Sequence, residues 1–235
     1  MKLFLDPGHG GKDSGALGNG LQEKDIALSV TLKVGEMLKR HNVEVLYSRT
    51  TDVFLELSER TNLANKANAD IFVSIHCNAA ENVDGKGIET FSYPNSSKGI
   101  ALAKCIQDSI LQSKVYTLNR GIKTANFAVL RQSNMPSALV ELAFITNIDD
   151  SKILKDKQEE LALAVARGIL NYLGVKYMES KSNLIKMNLH GKDLEVEGII
   201  EKSNKGSTNY IPVRFLEEFG YKVGYKDGKV IIEYK

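Results

Sequence analysis

Three short runs, Leu3 to Asp6, Asp70 to Cys77 and Ser137 to Ile145, are apolar at almost every position, and they restrict the fold more than any other feature of the chain. A strand with one wet face alternates between apolar and polar residues, so an unbroken apolar run must be covered on both faces. Between these runs lie stretches with helical periodicity. Ile26, Leu28, Val30, Val34, Met37 and Leu38 form the first, Leu55 to Ala67 the second, Lys98 to Gln112 the third and Asp156 to Leu173 the last. Val43 to Ser48 and Gly87 to Tyr93 read as two further strands. Strands alternating with helices, some apolar on both sides, predict an α/β domain over residues 1–175, with a mainly parallel sheet flanked by helices.

After Gly174 the texture changes. Residues 176–183 are predominantly polar and read as a linker. Residues 184–235 carry short strand-like runs at Leu184 to Leu189, Leu194 to Ile200, Asn209 to Val213 and Lys229 to Tyr234. Turns are expected at Gly191-Lys192-Asp193, Ser203 to Ser207 and Asp227-Gly228, and a short helix at Phe215 to Phe219. Such a small β-rich domain sits near the lower size limit for folding alone, and a homodimer formed through it would add buried surface.

The 31 basic and 29 acidic side chains give a net charge of +2, far from the excess that phosphate recognition demands, so nucleic acid is a poor candidate partner. Two cysteines imply no disulfide framework; Cys77 in a strand and Cys105 in a helix are expected to be buried thiols. Met1 to Pro7 holds too short an apolar run for an export signal, and no stretch approaches the roughly 20 apolar residues of a membrane span. The expectation is a chain made in the cytoplasm.

The chemistry concentrates at strand ends. The first run stops at Pro7-Gly8 and opens into a loop with glycines at 8, 10, 11, 15, 18 and 20, carrying His9; His76 sits near the end of the second run. Ligand sites in open α/β sheets gather at the carboxyl ends of strands, so the two histidines can converge. Glu23, opening the first helix, can fold back to complete a His2Glu set of the kind that holds catalytic zinc. Glu141 interrupts the most apolar strand, where a carboxylate is costly unless paired, protonated or near a metal, which makes it a candidate general base. Each residue also has a structural reading: a satisfied strand-end histidine, a first-turn glutamate favoured by the helix dipole, and for Glu141 an ion pair with Arg131 or Arg120. His41 and His190 read as structural. The glycine loop matches neither a dinucleotide fingerprint nor a Walker sequence.

In order along the chain, Leu5 to Ala16, Gly20 to Asp25, Ser48-Arg49-Thr50, Leu57 to Arg60 with Ala64-Asn65, Ala69 to Ala79, Gly121-Ile122-Lys123 to Arg131, Met135-Pro136 and Leu139 to Asn147 resemble the zinc-dependent N-acetylmuramoyl-L-alanine amidases of bacterial and phage cell-wall systems. The resemblance implies that His9, Glu23 and His76 ligate Zn2+, that Glu141 is the catalytic glutamate, and that the bond cut joins muramic acid to L-alanine in peptidoglycan. Ala143, Thr146 and Ile148 depart from the family's usual residues without touching a ligand position. Residues Gly191 to Gly198, Tyr210 to Leu216 and Phe219 to Val223 look like the copper amine oxidase N-terminal-like module of clostridial surface proteins, which implies a wall-binding role, with a wall glycopolymer as ligand. Together with the absence of an export signal, this points to a clostridial phage or prophage endolysin acting at the cell wall. The alternatives are a host autolysin and a catalytically weak wall-binding protein.

Overall fold

The computed structural model describes residues 1–178, 182–189, 192–203, 206–210, 216, 220–226 and 229–234. The chain forms two units, Met1–Tyr177 and Met178–Lys235. The first contains β1 (Lys2–Pro7), the two-residue strands β2 (Leu17–Gly18) and β3 (Leu21–Gln22), α1 (Glu23–Lys39), β4 (Glu44–Tyr47), α2 (Leu57–Lys66), β5 (Ile71–Asn78), β6 (Ile88–Ser92), α3 (Ser97–Ser113), β7 (Asn119–Thr124), α4 (Ala128–Arg131), β8 (Ser137–Phe144), α5 (Ile148–Asp156) and α6 (Gln158–Tyr172).

Six strands make one sheet in the order β4-β1-β5-β8-β6-β7. The three mostly apolar runs are its three adjacent strands β1, β5 and β8, paired in parallel. They are buried on both faces, as their composition predicts. On one face α1, α3 and α6 contribute Val30, Val34, Leu102, Ile106, Leu161 and Val165 to a core shared with Leu3, Val73 and Val140. On the other, a smaller cluster joins Phe4, Phe72 and Leu139 to Ala64 of α2 and to Val129 and Leu130 around α4. This second cover is incomplete, and the sheet's polar site opens beside it.

The expected mainly parallel α/β sheet is observed, with one antiparallel pair between β6 and β8. Its cause is local: residues 79–87, between β5 and β6, contain no helix, whereas a parallel return needs a crossover of a dozen or more residues. β7, α4 and α5 are absent from the sequence reading. β7 is an edge strand with mostly exposed side chains, so it carries no burial pattern. α4 is four residues long, too short for periodicity. The helix expected over Asp156 to Leu173 is α6, and α5 precedes it across Lys157, with Asn147 capping α5 by accepting from the Asp149 and Asp150 amides at 3.0 and 3.1 Å. Cys77 is buried as expected; Cys105 is only partly buried, because its position on α3 lies at the margin of the helix's core face, and both thiols are free.

The second unit contains β9 (Ser182–Leu189), β10 (Lys192–Ser203), β11 (Gly206–Tyr210), β12 (Tyr221–Lys226) and β13 (Lys229–Tyr234). They form an antiparallel three-stranded sheet, β11-β10-β9, and a separate β12-β13 pair. The strand expected over Asn209 to Val213 begins earlier, at Gly206, and β12 was not expected. Gly191, residues 204–205 and Asp227-Gly228 of the expected turns, residues 211–213, most of the expected Phe215 to Phe219 helix, His190 and linker residues 179–181 lie outside the described residues. Among the described residues, no helix is long and apolar enough to cross a membrane.

Candidate active site

β1 ends at Pro7, and the chain turns immediately through Gly8 into His9, whose backbone adopts the left-handed conformation with φ of 57°. β5 carries His76 near its own carboxyl end, and α1 starts at Glu23. The three side chains meet: His9 Nε2 lies 3.1 Å and His76 Nδ1 2.9 Å from the same Glu23 oxygen, Oε1. The two imidazoles stand edge-on with centroids 5.0 Å apart, and the three donor atoms all lie within 4.8 Å of one another.

The glycine loop makes this approach sterically feasible. A Cβ on Gly8 would sit 2.3 Å from His76 Cε1, and one on Gly15 2.6 Å from both Glu23 Oε2 and His9 Cδ2. Neither position tolerates a side chain while the donors stay where they are. Gly15 also needs its positive φ of 62°.

Each donor is held by a further contact. Asp13 Oδ2 lies 2.8 Å from His9 Nδ1, leaving Nε2 directed at Glu23. Glu23 Oε2 accepts from the Ala16 amide at 2.8 Å, and Oε1 from the Cys77 amide at 3.0 Å. Burial by itself disfavours the Glu23 charge, but hydrogen bonds and charge from His76 and His9 outweigh it and hold this carboxyl far below the usual range. Burial likewise disfavours protonated His9, yet Glu23 and Asp13 bring its pKa up to about 8. His76 is raised too, chiefly by Glu23 acting against desolvation. The two imidazole nitrogens and the carboxylate oxygen thus face one another closely, and a His2Glu donor set suits a catalytic metal site.

Glu141 sits on β8 as the register partner of His76 on β5. Neighbouring strands lie about 4.8 Å apart, so its carboxyl borders the donor cluster. Its Oε2 is buried with no hydrogen-bond partner, and desolvation pushes its pKa up to about 7. The ion pair considered for it does not form: Arg120 bonds Glu89 and Arg131 bonds Asn126, because both arginines have nearer acceptors. All four residues line one cleft of about 570 Å3, with Phe54, Leu55, Leu57 and Phe127 among its apolar lining. His41 behaves structurally, with Nδ1 2.9 Å from the Met37 carbonyl and its ring stacked on Tyr177.

A model of the family described as N-acetylmuramoyl-L-alanine amidase matches residues 3–171. The chain belongs to that family. The sporulation-specific N-acetylmuramoyl-L-alanine amidase of Bacillus subtilis is 36% identical over 223 residues, covering 93% of this chain and 86% of its own. The endolysin of Bacillus phage SPP1 is 42% identical over 182 residues, 74% of this chain and 66% of its own. Among solved structures, N-acetylmuramoyl-L-alanine amidase AmiC2 of Nostoc punctiforme superposes with a TM-score of 0.70 at 44% identity, covering 74% of this chain and 97% of that one. The chain is therefore an amidase of the peptidoglycan-cleaving class, as its sequence resemblance implies.

The amidase holds its His9 loop with residues that sequence reading left without a role. Asp6, fully buried on β1, accepts from Arg60 Nη1 at 2.9 Å and from the Ser74 hydroxyl at 2.8 Å. Arg60 donates onward to the carbonyls of Pro7 and His9, both at 2.7 Å, while Arg49 donates to those of Gly8 and Lys24. Two buried guanidinium groups thus pin three successive carbonyls around His9. The signal was available in Asp6, a carboxylate ending an apolar strand, where the reasoning applied to Glu141 calls equally for a partner.

Proposed function

We propose that this amidase hydrolyses, in a zinc-dependent reaction, the amide between N-acetylmuramic acid and L-alanine in peptidoglycan, with His9, Glu23 and His76 as metal ligands and Glu141 as the catalytic glutamate. The observation that carries the reading is the convergence of both histidine nitrogens on one Glu23 oxygen, at 3.1 and 2.9 Å, beside a buried and unpartnered Glu141 oxygen. His9, Glu23 and His76 would hold the zinc, which would supply positive charge to polarise the scissile carbonyl and acidify water. Glu141 takes a proton from the attacking water and delivers it to the alanine nitrogen as the C–N bond breaks. The products are the lactyl carboxylate and a free amine. Asp13 keeps the His9 ring oriented, a task that hydrogen bonds to ligating histidines commonly perform.

The test is release of L-alanine amino termini from purified peptidoglycan. Activity should vanish after metal removal and return with zinc, and Glu141→Ala should abolish turnover while zinc remains bound. Undiminished turnover in either case contradicts the assignment.

We further propose a lytic role at the cell wall, as the endolysin of a clostridial phage or prophage; the likeness to the phage SPP1 endolysin supports it. A host autolysin is the second reading, favoured by the match to the sporulation-specific amidase over 93% of this chain. Co-expression with a pore-forming protein separates them, since an endolysin then lyses the cell. Residues 1–175 form the catalytic domain in this proposal, 176–183 the linker and 184–235 a module that binds wall glycopolymer and pairs in a homodimer. Truncation after Tyr177 should keep hydrolysis of soluble muropeptide but weaken binding to whole walls. Undiminished wall binding counts against the module's role.

A further inference from the structure

Beyond Glu141 the polar row continues across the sheet. Glu89 on β6 is the antiparallel register partner of Glu141 on β8, as His76 on β5 is its parallel one, so three adjacent strands present His76, Glu141 and Glu89 side by side. Glu89 is only 5% exposed and uses both oxygens. Oε1 accepts from Asn78, a cleft residue, at 2.7 Å. Oε2 accepts from Arg120 Nε at 2.7 Å and from Lys123 Nζ at 2.5 Å, both on the edge strand β7. Each cation also stands over an aromatic ring, Arg120 over Phe144 and Lys123 over Phe91. Their side chains nevertheless remain 38% and 40% exposed. One buried carboxylate therefore displays two cations, one positive charge in excess, two strands from Glu141.

We propose that Arg120 and Lys123, held by Glu89, form a carboxylate-binding subsite for the peptide on the leaving-amine side of the scissile bond. This rests on the amidase reading above. The chemistry selects the peptide side: the lactyl carboxyl of the sugar is consumed in the amide, so the free carboxylates of a muramoyl peptide belong to its amino acids. The spacing agrees, since two strand separations span about 10 Å, and an extended peptide advances about 3.5 Å per residue. A carboxylate on the second or third residue reaches the pair. Charged hydrogen bonds of this kind dominate carboxylate recognition.

The test uses soluble muramoyl tripeptides with free carboxylates on residues two and three, against the same compounds with both carboxylates amidated. The full-length enzyme should lose about tenfold or more in kcat/KM on amidation, mainly through KM, as expected for a lost charged hydrogen bond. Arg120→Gln and Lys123→Gln should weaken cleavage of the acidic compound and erase the difference, while Lys123→Arg keeps it. Equal cleavage of both compounds by the wild type, or a preference that survives both glutamine variants, overturns the subsite alone. Cleavage of neither compound overturns the amidase reading and the subsite with it. The wild-type comparison decides even where a glutamine variant unfolds.

Discussion

Replacing Glu141 with glutamine should stabilise the metal-free protein at neutral pH while destroying its activity. Desolvation raises the Glu141 pKa from 4.5 to about 7. A carboxyl whose pKa is raised by folding contributes stability below its unfolded value of about 4.5, and that contribution is lost as pH rises through about 7. Two and a half pKa units at about 1.36 kcal/mol each set an upper bound near 3 kcal/mol for the cost of holding the ionised side chain in place. Glutamine keeps the shape and cannot ionise. Between pH 5, where the wild-type group is mostly protonated, and pH 8, where it is mostly charged, the stability gap in favour of Glu141→Gln should widen by about 2 kcal/mol, or about 4–8 °C in melting temperature. Thermal melts of chelator-treated wild type and variant at the two pH values measure it. A gap that does not change with pH refutes the reasoning, because a packing or hydrogen-bonding effect of the amide would not titrate. Saturating divalent metal should shrink the gap, since a nearby cation favours the charged form.

Three other outcomes follow from the same geometry. His9 carries a proton up to about pH 8 in the metal-free site, so zinc binding at pH 7 should release protons; calorimetry in buffers of different ionisation enthalpy reads the number, and none released contradicts the Glu23-bound imidazolium. Arg60→Ala leaves Asp6 buried without its guanidinium partner, which should cost about 3–5 kcal/mol in denaturant unfolding. Gly168→Ala places a Cβ 2.5 Å from Ile106 Cα where α6 meets α3. It should destabilise by about 1–3 kcal/mol despite alanine's better helix propensity, and a higher melting temperature would show that the helices separate freely.

The layer architecture is legible in the sequence alone, because strands covered on both faces must be apolar at nearly every position, and β1, β5 and β8 are. The sequence also singled out His9, Glu23, His76 and Glu141, because polar residues at strand ends or inside apolar strands stand out against their surroundings. What those residues do to one another is set by how the chain folds. That Glu23 Oε1 takes both imidazoles, that Gly8 and Gly15 clear the space for them, and that Glu141 keeps an oxygen without a partner depend on contacts between separate elements, His76 lying 53 residues from Glu23, which no local pattern encodes. The same holds for β7. Its exposed residues carry no burial signal, yet pairing beside β6 delivers Arg120 and Lys123 to Glu89. Burial leaves a periodic trace in sequence, whereas the meeting of side chains from separate strands is set by register, and register exists only in the folded sheet.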